Sequence, residues 1–220
     1  MNTYRTTARI VGVLFLAGMF AGVGGNILIQ TILNAPEGLR AVSANTMGVA
    51  IGAVLLLLTV AGDVAHGFLL FPLLRKHSES MALGYFGFRI VDGVFLGIQV
   101  LFVLLQIPLA GQYLNAGVAE MPRLQGLSTL FIQVNLQAYH IAMFTLGIAG
   151  VMLCVMFFRT RLLPRFLSVW GIVGYATILC GSVLEVMGFA LHSLDTIPGG
   201  LWELFIGVWL IVKGFNVKVE

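Results

Sequence analysis

Charge is what this sequence lacks. Of its 220 residues, 10% are Asp, Glu, Lys or Arg and 59% are hydrophobic, whereas a soluble domain carries about 25% charged and about 45–50% apolar residues. Twelve basic and nine acidic side chains cannot coat a globule of this size, which excludes a soluble enzyme. A net charge of +3 and a pI near 9.1 do not bring back a nucleic-acid reading. The basic residues sit at the ends of apolar runs, as topology signals do, and form no soluble patch. Cysteine is scarce too. Cys154 and Cys180 both fall inside apolar runs, and without a CxxC or a Cys/His cluster they read as small core hydrophobes, not a disulfide or metal pair. Missing as well are a Gly-rich phosphate loop, a GxSxG elbow and an HExxH zinc motif.

Long apolar runs are what the sequence has, and its mean hydropathy is +1.01. A spanning helix needs about 20 predominantly apolar residues. Six runs meet that length or come close to it: Arg9–Leu33, Met47–Leu74, Met81–Leu109, Thr129–Phe158, Phe166–Leu191 and Pro198–Phe215, the last barely long enough. They predict an all-α polytopic bundle, a single transmembrane domain over 1–220, with loops at Asn34–Thr46 and Ala110–Ser128. The basic start and first run are expected to be an uncleaved first helix, because the run continues to full spanning length and lacks an A-x-A site after its first half.

An even number of spans puts both termini on one side. Arg5, Arg9, Arg75, Lys76, Arg159, Arg161, Arg165, Lys213 and Lys218 fall on that side, and only Arg40 and Arg123 on the other. The asymmetry predicts cytoplasmic termini in a bacterial inner membrane. Tyr4, Tyr113, Trp170 and Trp202 stand near expected interfaces. Gly18/Gly22, Ala21/Gly25, Gly48/Gly52 and Gly93/Gly97 give small-xxx-small spacings that let backbones approach. Packing within one bundle is the plain reading of these pairs, and a homo-oligomer face is the alternative.

Ionisable residues inside a span are functional candidates by default. Asp63 and His66 on the second run, and Arg89 and Asp92 on the third, are both i,i+3 pairs, so each pair shares a helix face. Counted from the short turn between the two runs, Asp63 and Asp92 reach similar depth. Arg89 can therefore pair with either carboxylate, leaving the other near His66. Arg89, Asp92, Gln99 and Gln106 fall in one sector of about 100°, a polar stripe along the third run that predicts a wet or ligand-lined face. In the outer half, Gln133, Gln137 and His140 share a face of the fourth run. Glu185 is expected at the depth of His140, with His192 further out, and Glu203 stands beside Trp202 on the last run.

Four readings compete for these groups. Interhelical glue is the structural one, but such contacts average only about 0.6 kcal/mol. An intramembrane site for a small lipophilic or amphipathic molecule is the leading one. There the carboxylate/His groups Asp63, His66, Asp92, His140 and Glu185 would move protons, and Arg89, Gln99, Gln133, Gln137, Trp202 and Glu203 would line the site, Arg89 orienting an anion. A proton- or cation-coupled transporter would use the same acids and histidines as a relay bridged by Gln99. A regulatory or assembly subunit would have no site of its own. Membrane lipids are the expected surroundings, and no cofactor is expected. His66, His140 and His192 lie at different depths, which speaks against haem, and a zinc set of His140, Glu185 and Glu203 has suitable ligand types but only long-range spacing.

Three stretches carry a resemblance. Ala8–Leu16, Leu163–Gly174 and the closing segment Ile197–Phe215, with Trp202-Glu203 and Trp209-Leu-Ile-Val-Lys-Gly-Phe215, are similar to a bacterial six-helix membrane family described only as a domain of unknown function. The resemblance covers nearly the whole chain. It implies the six-helix arrangement, draws attention to Glu203 and Lys213, and names no chemistry.

The charge asymmetry generates a direct prediction. A C-terminal fluorescent-protein fusion in a bacterial host should fluoresce and a C-terminal alkaline phosphatase fusion should be inactive. The opposite pair of results would place the basic end outside the cytoplasm.

Overall fold

The structure, a computed structural model, describes residues 2–191 and 194–216. His192 and Lys218 lie outside these residues. In hydrocarbon every backbone N–H and C=O must be satisfied within its own segment, and the apolar runs accordingly fold as helices: α1 (Asn2–Leu33), α2 (Leu39–Ala44), α3 (Thr46–Leu74), α4 (Glu79–Leu104), α5 (Gln106–Asn115), α6 (Met121–Thr160), α7 (Arg165–Val186) and α8 (Ile197–Val212), with a short 3₁₀ turn at Leu194–Thr196. Among the described residues six helical segments are long and apolar enough to cross a membrane, α4 and α5 together forming the third. The chain is therefore a multi-pass membrane-helical protein.

Helix ends follow local chemistry more closely than hydropathy. The Ser78 hydroxyl caps α4 by accepting from the Met81 amide at 3.4 Å, with Glu79 in the first turn where a negative charge suits the helix dipole. The third run, expected as one helix to Leu109, breaks after Leu104 because Pro108 has no amide to give and its ring crowds the carbonyl four residues back. Helix resumes as α5 through Asn115, so the start of the expected loop at Ala110–Ser128 is helical. Its end is helical too, since Pro122 opens α6 in the first turn, where a missing amide costs nothing. α7 stops at Val186, five residues short of the expected Leu191, although the sequence stays apolar. Gly188 takes φ 94°, its amide bonds Glu185 O at 3.0 Å, and the Phe189 amide bonds Leu184 O at 3.0 Å, the paired pattern of a Schellman stop.

The spans close into a ring. α1 packs on α3, α3 on α4, α4 on α6, α6 on α7, α7 on α8, and α8 back on α1. One apolar cluster fills the end that carries the basic residues, with Val11, Leu74, Tyr85, Phe157, Leu167 and Leu210 among its members. A second fills the opposite end, where α2 and α5 pack on each other and Leu39, Val42, Leu109 and Tyr113 join Ile29, Leu56 and Val100. Between the two clusters lies a polar layer.

Some expectations fail here. Trp202 is not an interface ring: it is fully buried and donates from Nε1 to the Leu167 carbonyl at 2.7 Å. Tyr113 is buried as well. Cys180 is exposed on the outer face of α7, while Cys154 is buried as expected. Among the small-residue pairs, Gly25 and Gly52 meet backbone to backbone, and Gly93 sits against Val64. A Cβ added at Gly18 or Gly97 would meet nothing within 4 Å.

The closest approach of α1 and α8 is at Gly12, where an added Cβ would stand 2.6 Å from the Gly207 carbonyl oxygen. Gly12→Ala should lower stability by about 1–3 kcal/mol through overpacking, and Gly18→Ala on the same helix should not. Thermal unfolding in detergent checks this, and equal losses at both positions would contradict the α1–α8 closure.

Candidate functional site

The polar layer is built where α3 and α4 cross. Gly67 and Gly93 keep this crossing close: a Cβ on Gly67 would stand 2.7 Å from the Phe86 ring, and one on Gly93 would stand 2.9 Å from Val64. At this crossing the Arg89 guanidinium reaches back onto α3. Its Nη2 forms a close ion pair with Asp63 Oδ1, its Nε donates to the Asp63 main-chain carbonyl at 3.2 Å, and its Nη1 donates to Asp92 Oδ2 at 3.2 Å. Arg89 thus takes both carboxylates rather than one, and all three of its nitrogens are engaged. The expected pairing of Arg89 with one carboxylate thus extends to both, which leaves the guanidinium fewer donors to offer an anion.

His66 completes the α3 side. Its Nδ1 lies 3.4 Å from Arg89 Nη2. Arginine only donates, so this contact assigns Nδ1 as an acceptor and places the ring proton on Nε2. Nε2 is buried with no hydrogen-bond partner. The ring packs on Phe15 at 4.0 Å. Phe15 meets Trp202 edge-on at 6.0 Å, and Trp202 meets Tyr175 at 5.4 Å. The Tyr175 hydroxyl donates to Glu203 Oε1 at 2.8 Å. A line of rings therefore joins His66 to Glu203 across α1, α8 and α7. Glu203 is linked to the central group through this line of rings.

The central group is unevenly sealed. Asp92 is 0% exposed and Arg89 5%, but Asp63 is 18% exposed. Asp92 Oδ1 is buried with no hydrogen-bond partner. At 1.5 Å per residue, Asp63 lies about 17 Å from the α3 terminus at Leu74, near the middle of a hydrocarbon core about 30 Å thick.

The second expected group is only partly assembled. His140 Nδ1 and Glu185 Oε2 do meet, at 2.7 Å, without the geometry of an aligned hydrogen bond. Gln133 and Gln137 are exposed and join neither group. They share a helical-wheel face with His140 and lie within about 11 Å of it along the axis, yet only His140 is buried. Gln99 is buried but bridges nothing acidic: its side-chain amide contacts Asn26 Oδ1 at 3.5 Å, and its main-chain carbonyl accepts from the Asn135 side chain at 2.9 Å. Gln106 is tied to Ser128. The stripe expected to be a wet or ligand-lined face runs over α4 into α5 and is buried, with protein groups lining much of it.

Sequence reasoning missed Asp195, Tyr175 and Tyr139. Asp195 lies in the turn before α8, in an apparent loop, and the chain carries it back against Gly181 of α7. There its main-chain carbonyl accepts from Thr177 at 3.2 Å. Tyr175 and Tyr139 sit inside apolar runs, where a tyrosine gives no hydropathy signal. Among the described residues no three His, Cys, Asp or Glu side chains converge as metal ligands.

Removing the cation from this group should be costly. Arg89→Gln leaves two unpaired carboxylates and should lower stability by about 3–5 kcal/mol. Adding Asp63→Asn and Asp92→Asn to Arg89→Gln should restore most of it. Thermal denaturation in detergent distinguishes the two, and a triple variant as unstable as Arg89→Gln alone would show that charge burial is not the cause.

No curated protein and no solved structure matches the chain. One family does, from residue 10 to residue 214, from the first turns of α1 to just past the end of α8. The chain therefore belongs to the family described as Domain of unknown function (DUF4386).

Proposed function

We propose that this is a bacterial inner-membrane protein, its basic end in the cytoplasm, whose central polar group binds a small lipophilic or amphipathic molecule within the bilayer. The observation that carries the reading is Asp63. An ion pair that served only to join helices gains most when sealed, as Asp92 is. Asp63 instead stays 18% open while bonded to a buried guanidinium, at a depth where water is scarce. A side chain placed so is positioned to meet a ligand's polar head while the surrounding rings and aliphatic groups take its apolar part. In a transforming enzyme, Asp63 and His66 are the groups placed to exchange protons with that head.

A proton relay across the bilayer has less support. It needs a link between the central group and His140–Glu185, and Gln99, the residue expected to supply it, is bound to Asn26 and Asn135. A subunit with no site of its own fits poorly with the open carboxylate.

Mass spectrometry tests the reading. Protein purified into nanodiscs should carry one amphiphile at near-stoichiometric yield beyond the bulk lipid, and Asp63→Asn should lose most of it while unfolding within a few degrees of wild type. Wild-type protein that carries only bulk lipid, with Asp63→Asn altering thermal stability alone, would overturn the site and favour a structural ion pair.

A further inference from the structure

We propose that the molecule taken at the central site is a lipophilic organic monocation, such as an aryl- or alkyl-substituted ammonium or phosphonium. This rests on the ligand-site reading above and adds the charge class. Asp63 and Asp92 set two carboxylates against one guanidinium, Arg89, and Glu203 stands beyond the cluster at the end of the line of rings. With Asp63, Asp92 and Arg89 all ionised the cluster carries one negative charge in excess. His66 does not offset this, because its Nδ1 faces a donor.

The ungated chemistry points the same way. The fully buried Asp92 Oδ1 accepts from nothing, and the part-open Asp63 is an acceptor as well. Arg89, the group that would receive an anion, is engaged at Nε, Nη1 and Nη2. An anionic head would meet carboxylates with no free cation behind them. A cationic head would meet two acceptors and relieve the excess.

The surroundings select among cations. Phe15, Tyr175 and Trp202 stand in ring-to-ring contact beside His66 and Glu203. Aromatic faces attract a diffuse organic cation, more so where water is excluded. A hard metal ion needs about six or more oxygen ligands in a close shell. Among the described residues not even three His, Cys, Asp or Glu side chains converge in that way. A bulky monocation whose charge is spread over apolar substituents needs no such shell.

A matched pair of probes tests the charge class. Tetraphenylphosphonium and tetraphenylborate have nearly the same shape and opposite charge. Their binding to the wild-type protein in nanodiscs is measured by equilibrium dialysis against protein-free nanodiscs. The phosphonium should bind about one per protein and at least ten-fold tighter than the borate. Asp92→Asn should weaken phosphonium binding ten-fold or more, Asp92→Glu should keep it, and Glu203→Gln should reproduce the loss if Asp92→Asn fails to fold. Equal affinity for both probes, preference for the borate, or phosphonium binding untouched by these variants overturns the inference. If a neutral or anionic amphiphile co-purifies while the phosphonium does not bind, the charge class fails and the site stands. If no probe binds and no amphiphile co-purifies, both fail.

Discussion

A guanidinium shared by two carboxylates in the middle of a membrane is the contact on which the rest of this bundle depends. Arg89 reaches from α4 to Asp63 on α3 and holds Asp92 on its own helix. Each charge alone at this depth is expensive, by at least about 2.5–3.5 kcal/mol on insertion scales. Pairing the guanidinium with carboxylates offsets that cost, which ties the register of α3 to that of α4 and relies on the glycines that bring the helices close. A slide by one turn would move a charge by about 5.4 Å and leave a carboxylate facing hydrocarbon. The short capped turn at Ser78 then sets an antiparallel hairpin, and the other helices pack around it.

The apolar clusters at the two ends make sense as consequences of that arrangement. Each end seals the polar layer from its side, one with the apolar packing of α6, α7 and α8, the other with the short helices α2 and α5. α8 is 16 residues long, about 24 Å and shorter than the hydrocarbon core. The connection from α7 makes up the difference by folding back before α8 begins, bringing Asp195 against Gly181 of α7. That return places Glu203, early in α8, beside Tyr175 at the end of the line of rings that leads to His66.

The parts of this structure legible in the sequence are those governed by length and periodicity. Six spans follow from apolar runs. The meeting of Asp63, Arg89 and Asp92 follows from equal counts on either side of a tight turn, and the meeting of His140 with Glu185 from the same kind of count. What the sequence hides is rotation, tilt and re-entry. Trp202 has the composition of an interface ring, yet a hydrogen bond to Leu167 O takes it into the core. Gln133 and Gln137 share a wheel position with His140, yet they are exposed where His140 is buried, a difference the wheel alone does not carry. Apolar residues continue past Val186, and only the positive φ of Gly188, which hydropathy does not report, ends α7 there.

The saturation of Arg89 changes the chemistry that the residue types alone imply. Read as a list, an arginine, a histidine and several acids make a site with both donors and acceptors, able to hold an anion on the arginine. Placed in space, the arginine's nitrogens are turned inward to the protein's own oxygens, and the histidine presents its acceptor to the arginine. The charged groups left facing outward from the cluster are carboxylate oxygens. Polarity in a membrane site is therefore set less by which charged residues are present than by which of them the fold has already used. Here the fold has used the cation.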